Sequence, residues 1–297
     1  MITTAIVVHW RGRQDTERCL RSLAAPGGPD RIVLVDNGSG ESFDGPLEVI
    51  RLGRNRGFAA GADEGARIAL AAGADRLLFL NSDAVLEPGA LGELAAALDA
   101  DPRAAAAGPL ILRDDGSGRP WFAGGSVSPA LGQVTHGRPR GGGPRATGFL
   151  TFCAVLVGRE AWESVGPLDE ELFAYGEDAD WCLRARREGF TLVHCPGARV
   201  LHRVNGSLGA GSAPQAYLLA RARVLLARRH SGAASRGLRF WPWLLLVRGP
   251  HDFLKSLFTR GWSAAWAHVR GSLDGARGGA PRSFRAELGL DGPGGAR

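Results

Sequence analysis

The stretch FAYGEDADWCLRARREGF, residues 173–190, places three carboxylates (Glu177, Asp178 and Asp180) within four positions, directly ahead of a run of arginines. A carboxylate held beside a reacting hydroxyl can take its proton, and that is the chemistry such a cluster could supply. A helix over about 177–188 would also want this pattern for its own sake. Acids in its first turn and Arg184, Arg186 and Arg187 in its last turns complement the helix dipole, and Asp180 pairs with Arg184 at i,i+4. Two more carboxylates stand where short apolar runs end: Asp36 in VDNGSG (35–40) and Asp83 in LNSDA (80–84). An acid at a strand end can accept a hydrogen bond from a base or ribose, or hold a divalent cation beside a phosphate. The plainer readings are a tight turn for DNGSG and a helix N-cap for Asp83. A lone histidine such as His202, in HRVNGS, is by itself more often structural than a ligand.

The elements that must position these residues alternate between short β-branched runs and longer helical patterns, the mark of βαβ units around a parallel sheet. TAIVVHW (4–10) reads as a buried strand, TERCLRSLAA (16–25) as a helix, RIVLVDNGSG (31–40) as a strand ending in a turn, and LEVIRL as a third strand. GFAAGADEGARIALAAGA (57–74) predicts an alanine-rich helix and RLLFLNSDA (76–84) a fourth strand. A helix follows, opening near Pro88 and stopping at Asp101–Pro102. Ligands of open parallel sheets collect at the carboxyl ends of the strands, so Asp36 and Asp83 are expected to converge on one crevice. The second half is less regular. Residues 113–120 and 137–146 read as mobile Gly/Pro/Arg-rich loops, FLTFCAVLVG as a buried strand and FTLVHCPGARVLH (190–202) as a strand pair. From about residue 215 the pattern is helical and basic, with tryptophans up to about 275 and a final twenty or so residues expected to lack structure.

Composition narrows the class. At 297 residues, 44% hydrophobic, the chain can bury a full core. Its net charge of +6 is uneven: residues 218–297 hold 14 Lys+Arg against 4 Asp+Glu, which leaves residues 1–217 mildly acidic. A basic tail on an acidic body suggests an anionic partner for the tail. Four cysteines without CxxC spacing argue against zinc or a disulfide framework and for a reducing compartment. No signal peptide is evident ahead of ITTAIVVHW, and the longest apolar run, FWPWLLLV, falls far short of the ~20 residues that span a bilayer. The expected location is the cytoplasm, with the tail suited to peripheral attachment at the inner face of the membrane. The turn after the first strand, HWRGRQD, lacks the GxGxxG of oxidoreductase dinucleotide folds.

Taken in order, VVHW, CLRSL, IVLVDNGSG, RNRGFAAG, LLFLNSDA, GPLDEELFAYGEDADWCLRARREG and the later His and GS resemble the family 2 glycosyltransferases, especially a rhamnosyltransferase-like branch of cell-surface polysaccharide assembly. The likeness runs over roughly residues 3–230. It implies an α/β fold of the GT-A type, a Rossmann-like, mostly parallel sheet flanked by helices, here with a helical C-terminal appendage. The implied division is a nucleotide-sugar-binding half (1–112), an acceptor-binding half of the same domain (113–214) and a basic, Trp-rich tail (215–297). The implied reaction is inverting transfer from a UDP- or dTDP-sugar, with dTDP-rhamnose a plausible donor, to a glycan or lipid-linked acceptor. By position, Asp36 resembles the acid that accepts the N3–H of uracil or thymine, and Asn55, Arg56 and Gly57 fall where the family lines the nucleotide pocket. Asp83 resembles the last acid of a motif that holds Mg²⁺ or Mn²⁺ against the diphosphate, and His202 a histidine that completes that site. Asp178 matches the catalytic base, with Glu177 and Asp180 in support, orienting the acceptor or anchoring the helix.

The chain departs from that pattern in three places. Arg11 follows the first motif where asparagine is common. The metal motif reads NSD, which leaves Asn81 a weak ligand and strict metal dependence in question. Thr151-Phe152-Cys153 replaces a small SGA, so Phe152 is expected to reshape the acceptor pocket. Two other functions fit a Rossmann-like sheet: a sugar-1-phosphate nucleotidylyltransferase, whose Gly-rich basic signature HWRGRQD does not supply, and a non-catalytic nucleotide-sugar-binding or scaffolding protein. The tail, with Trp241, Trp243, Trp262 and Trp266 among Arg248, Lys255, Arg260 and Arg270, suits an interfacial helix on anionic lipid or a helix packed on the catalytic body. No reader motif accompanies its charge, which argues against nucleic acid.

Overall fold

The computed structural model describes residues 1–43, 47–204, 209, 211–232 and 240–290. Apolar, β-branched runs form β1 (Thr3–His9), β2 (Arg31–Asp36), β3 (Glu48–Arg51) and β4 (Arg76–Leu80). These make the parallel half of a ten-stranded sheet, in the spatial order β4-β1-β2-β3, with His9 opposite Asp36 at the end of the β1–β2 ladder. Helices α1 (Arg13–Leu23) and α2 (Gly57–Ala71) make the crossovers. The buried side of α2 is almost all alanine and glycine, so its backbone lies close to the sheet: a Cβ on Gly65 would stand 2.5 Å from an Ile6 methyl.

The run read as one strand over 76–84 is two. β4 stops at Leu80, Ala84 N donates to Asn81 O across a turn, and β5 (Ala84–Leu86) leaves to pair with a later strand. Polar Asn81, Ser82 and Asp83 cannot continue in the buried sheet, so the chain turns there. After α3 (Ala90–Ala100) come β6 (Ala104–Arg113), β7 (Pro120–Phe122) and a separate hairpin of β8 (Gly125–Ser128) and β9 (Gln133–His136). A two-residue strand, β10 (Arg145–Ala146), lies in the stretch expected to be loop. β11 (Ala154–Gly158) is antiparallel to both β4 and β6 and joins the two halves of the sheet. It is shorter than the expected run, because residues 149–153 leave the ladder. α4 (Arg159–Val165) and α5 (Glu177–Arg187) follow.

The expected strand pair over 190–202 is a single strand, β12 (Thr191–His202), parallel to β6. Cys195 pairs with Pro109 and Arg199 with the adjacent Leu110, so residues 196–198 bulge out of the ladder. Pro196 has no N–H to donate, which breaks the pairing locally without reversing the chain.

In the tail, α6 (Ala213–His230) packs against a helix over Trp262–Arg277. Gly271 and Gly275 permit this approach, since a Cβ on either would overlap the carbonyl of Tyr217 or Arg221. Between them run a short turn at Trp241–Trp243, a π-type turn over Leu244–Arg248 and a helix over Gly249–Arg260. The last stretch is not without structure as far as it is described: Leu288 is fully buried against the body. Residues 291–297 lie outside the described residues.

Candidate active site

A cleft of about 470 Å³ lies past the carboxyl ends of β1 and β4, lined there by Trp10 and by Asn81, Ser82 and Asp83. Its far wall is the segment 173–178 that leads into α5. Of the residues singled out from sequence, Asp83, Glu177, Asp178, His202, Asn55 and Gly57 line it. Asp36 and Arg56 do not.

Asp83 and His202 meet through strand register. β12 pairs His202 with Ala84, the residue after Asp83, and this brings His202 Nε2 to 3.1 Å from Asp83 Oδ1. The Trp121 ring of β7 stands edge-on to the imidazole, centroids 4.6 Å apart. Burial alone would depress the imidazole, but the neighbouring Cys153 and Asp83 outweigh it and raise its pKa above the ordinary value. Burial pushes the Cys153 thiol up, against the opposing pull of His202. Cys153 also lies within electrostatic reach of Asp178, which joins the two sides of the cleft.

The approach to α5 is strained. Phe173 and Tyr175 have φ of 64° and 68°, and bulky side chains adopt such values at a cost of about 1–2 kcal/mol each. Packing holds them: Ala59 N donates to Phe173 O at 3.3 Å, and Gln215 Nε2 donates to the Tyr175 hydroxyl at 3.2 Å. Gly57, at φ 89°, makes room for the loop, because a Cβ there would overlap the Phe173 carbonyl.

The three acids of α5 have different surroundings. Asp178 Oδ1 accepts from Ala179 N at 2.7 Å, yet burial pushes its carboxyl up to about 6 against hydrogen bonds from Ala179, Thr151 and Phe152. Glu177 is pushed well above the carboxylate range, by burial first and then by the Asp178 charge. Its Oε2 is buried with no hydrogen-bond partner among the described residues. Two carboxyls so placed share one proton near neutrality, with Asp178 the more readily ionised. Asp180 is turned away from the cleft. Burial would raise it, but His230 Nε2 at 2.7 Å from Oδ1 and Arg184 Nε at 2.8 Å from Oδ2 hold it below the usual range. It anchors α5 to the end of α6.

Asp36 is buried and committed to its own turn: Ser39 N and Oγ donate to Oδ1 at 2.8 and 2.6 Å, and Gly40 N to Oδ2 at 3.2 Å. Arg56 pairs with Glu170 at 3.2 Å at the surface. Asn55 reaches the cleft, and both ends of its amide are hydrogen-bonded within the fold. Its Oδ1 accepts from Asn37 Nδ2 and Gly57 N, each at 2.8 Å, and its Nδ2 donates to Leu288 O at 2.8 Å. Phe152 lines the cleft but does not project into it as a plug. Its ring is buried among Phe79, Trp162 and Trp181, centroids 4.9, 6.3 and 5.6 Å away.

Sequence reasoning missed Trp121, Tyr175, Gln215 and Leu288, all of which line the cleft. Trp121 follows a Gly/Pro-rich stretch and Leu288 lies in the supposedly structureless end. Neither carries a local signal, whereas the FAYG ahead of GEDAD had placed Tyr175 in view.

For a divalent cation the protein offers one carboxylate and one imidazole. Among the described residues no group of three or more His, Cys, Asp or Glu side chains could hold a metal. Such a donor pair fits Mg²⁺ or Mn²⁺ held partly by substrate phosphates, and does not fit a closed all-protein site.

A mixed sheet with this strand order, crossover helices on its faces and a cleft at the strand ends defines a GT-A glycosyltransferase. Its solved likenesses agree. GalNAc-T7 with UDP, GalNAc and Mn²⁺ superposes with a TM-score of 0.59 at 16% identity, over 98% of this chain and 57% of that one. A mannosyltransferase of Pyrobaculum calidifontis in complex with GDP-Man and Mn²⁺ gives 0.56 at 15%, over 92% and 86%. The glycosyl transferase family 2 model matches residues 4–163, and the chain belongs to that family. Among curated relatives, the N-acetylglucosaminyl-diphospho-decaprenol L-rhamnosyltransferase of Mycobacterium tuberculosis is 30% identical over 265 residues, 78% of this chain and 86% of its own. A dTDP-rhamnosyl transferase of Shigella flexneri is 27% identical over 180 residues, 58% and 60% of the two chains. The protein is a glycosyltransferase, which sets aside the nucleotidylyltransferase and scaffold readings.

Proposed function

We propose that this enzyme transfers a 6-deoxyhexose of the rhamnose type from its dTDP-sugar to a sugar carried on a polyprenyl diphosphate, with inversion. The observation that carries the reading is one cleft holding a half-buried Asp178, its carboxyl raised to about 6, on one wall and the Asp83–His202 pair on the other. Two of the curated relatives are rhamnosyltransferases, and the name of one gives it a diphospho-decaprenol-linked sugar as acceptor. A lipid-linked acceptor would put the enzyme at the inner face of the membrane. Among the described residues no helix is long and apolar enough to cross one.

In this mechanism the acceptor hydroxyl lies against Asp178, which takes its proton as the oxygen attacks the anomeric carbon. The bond to the diphosphate breaks from the opposite face, and negative charge gathers on the departing phosphate. Asp83 and His202 are the residues that would hold Mg²⁺ or Mn²⁺ there, and the cation's contribution is to offset that charge. Glu177, kept neutral by burial, offers a proton donor to a second acceptor hydroxyl. The strained 173–176 segment fixes both carboxyls before substrate arrives, so no reorganisation is left for the transition state. Asn37 and Asn55 stiffen the donor end, and Asp36 holds the turn that flanks it, where its remaining lone pairs could meet the base of the nucleotide.

The test is donor hydrolysis across dTDP-, UDP- and GDP-sugars, with and without Mg²⁺ or Mn²⁺. A clear preference for dTDP-rhamnose is expected, and a preference for GDP-sugars would overturn the donor assignment.

A further inference from the structure

The helix over Gly249–Arg260 has the reverse of the polarity water selects, and the turn before it buries Leu244 but leaves its next three apolar residues outside. The buried positions of the helix are Asp252 and Ser256, while Leu245, Leu246, Val247, Leu254 and Phe258 face outward, Leu246 77% and Phe258 83% exposed. The inward polar groups are satisfied. Arg223 and Arg248 donate to Asp252 at 2.8 and 2.9 Å, and His268 Nε2 lies 2.9 Å from Ser256 Oγ. The next helix extends the outward surface. Trp262, Trp266, Arg270 and Leu273 fall at i, i+4, i+8 and i+11, one face of an α-helix, and all four are exposed. Phe253 joins the two helices, its ring edge-on to Trp262 and Trp266 with centroids 6.1 and 5.6 Å away. A soluble protein seldom leaves so continuous an apolar surface to solvent.

We propose that this face docks on an anionic lipid bilayer. Charge selects that occupant. Between residues 240 and 277 the only acids, Asp252 and Asp274, are buried, whereas Lys255, Arg260 and Arg270 are exposed. A second copy would press like charge against like charge, whereas an anionic headgroup layer complements it. Two exposed indoles suit the headgroup level, and helices of this kind lie in the plane of the interface with their apolar face sunk about 5–10 Å. α6, on which the Trp262–Arg277 helix is seated, also gives Leu219 to the cleft wall, so docking face and cleft share one support. The use of docking, access to a lipid-linked acceptor, rests on the function proposed above; the face itself does not.

The test is sedimentation of the full chain with phosphatidylglycerol/phosphatidylcholine vesicles and with phosphatidylcholine alone. The wild type is expected to pellet with the anionic vesicles at low salt and to stay in solution with the neutral ones. L246E/F258E changes only exposed side chains and is expected to lower partition roughly tenfold or more. K255Q/R260Q/R270Q is expected to lower it on the order of 100-fold. Donor hydrolysis without acceptor should stay at the wild-type rate in both variants. Loss of hydrolysis in the wild type itself would count against the transferase chemistry and leave the vesicle result to be read separately. A wild type that ignores anionic vesicles, or binds neutral ones equally, overturns the proposal. So does a stable dimer that L246E/F258E converts to monomer, because a second copy would then cover the face.

Discussion

Asp178→Asn should disable the enzyme and stabilise it at the same time. The carboxyl is raised from an ordinary 3.8 to about 6, with burial the main cause. Between those two values the folded chain keeps a proton that the unfolded chain has released. Stability therefore falls as pH rises through this window, and the loss is complete above about pH 6. At ~1.4 kcal/mol per pH unit the difference amounts to about 3 kcal/mol. Asparagine removes the charge, keeps an oxygen to accept from Ala179 N, and escapes that loss. The variant should then resist urea better than the wild type by about 3 kcal/mol at pH 8, with a rise in Tm on the order of 5 °C, and by little or nothing below pH 4. Its turnover should drop 10²- to 10⁴-fold, the usual range for losing a general base, while dTDP binding is kept. In the wild type, activity should climb with pH through about 6 and then level. Denaturation at pH 4 and 8 and initial rates from pH 5 to 8.5 read all of this. Undiminished turnover removes Asp178 as the base, and equal stability at pH 8 means its carboxylate is not desolvated as the fold requires.

The neighbouring acid should behave in the opposite way: Asp180→Asn or His230→Ala loosens α5 from α6 and is expected to cost about 1–3 kcal/mol in urea unfolding, with turnover near normal at temperatures where the variant stays folded. Gly57→Ala, at φ 89° and against the Phe173 carbonyl, should lose about 2 kcal/mol or more and depress kcat through the displaced 173–176 segment; a neutral result in both assays would show that the loop does not depend on that approach. Removing residues 281–297 frees Asn55 Nδ2 from Leu288 O and takes Leu288 from the cleft wall, and calorimetry should find nucleotide binding weakened about tenfold with the remaining fold intact.

Much of the parallel half was legible because each βαβ unit is encoded locally. TAIVVH and RIVLVD are buried strands between polar turns, and small residues mark the sheet-facing side of α2. Position along the chain also found the two walls of the cleft, since the NSD and GED turns fall where buried runs end. What sequence could not show is which atoms are already committed. Asp36 stands at a strand end as expected, yet both its oxygens already accept hydrogen bonds from Ser39 or Gly40, and Arg56 turns out to Glu170. Phe152 looked like an obstruction and instead joins an aromatic core assembled from Phe79, Trp162 and Trp181. Leu288 reaches Asn55 from 233 positions away, a contact no local pattern announces. The outward leucines of the tail show the same limit, since composition gave an amphipathic helix but not which side it would bury.

The bulge at residues 196–198 ties the geometry of the cleft to chain length. It takes up the three residues by which β12 exceeds its partner between the Cys195 and Arg199 pairings, and so decides which atom of the strand arrives opposite Ala84. Deleting one residue after Arg199 would send the imidazole of His202 to the other side of the sheet, and deleting two would leave it on the correct side but about 7 Å short. Across descendants of this gene, the segment from Arg199 to His202 should therefore accept changes of letter far more readily than changes of number, while the protruding residues 196–198 are where spare length can accumulate without moving the cleft.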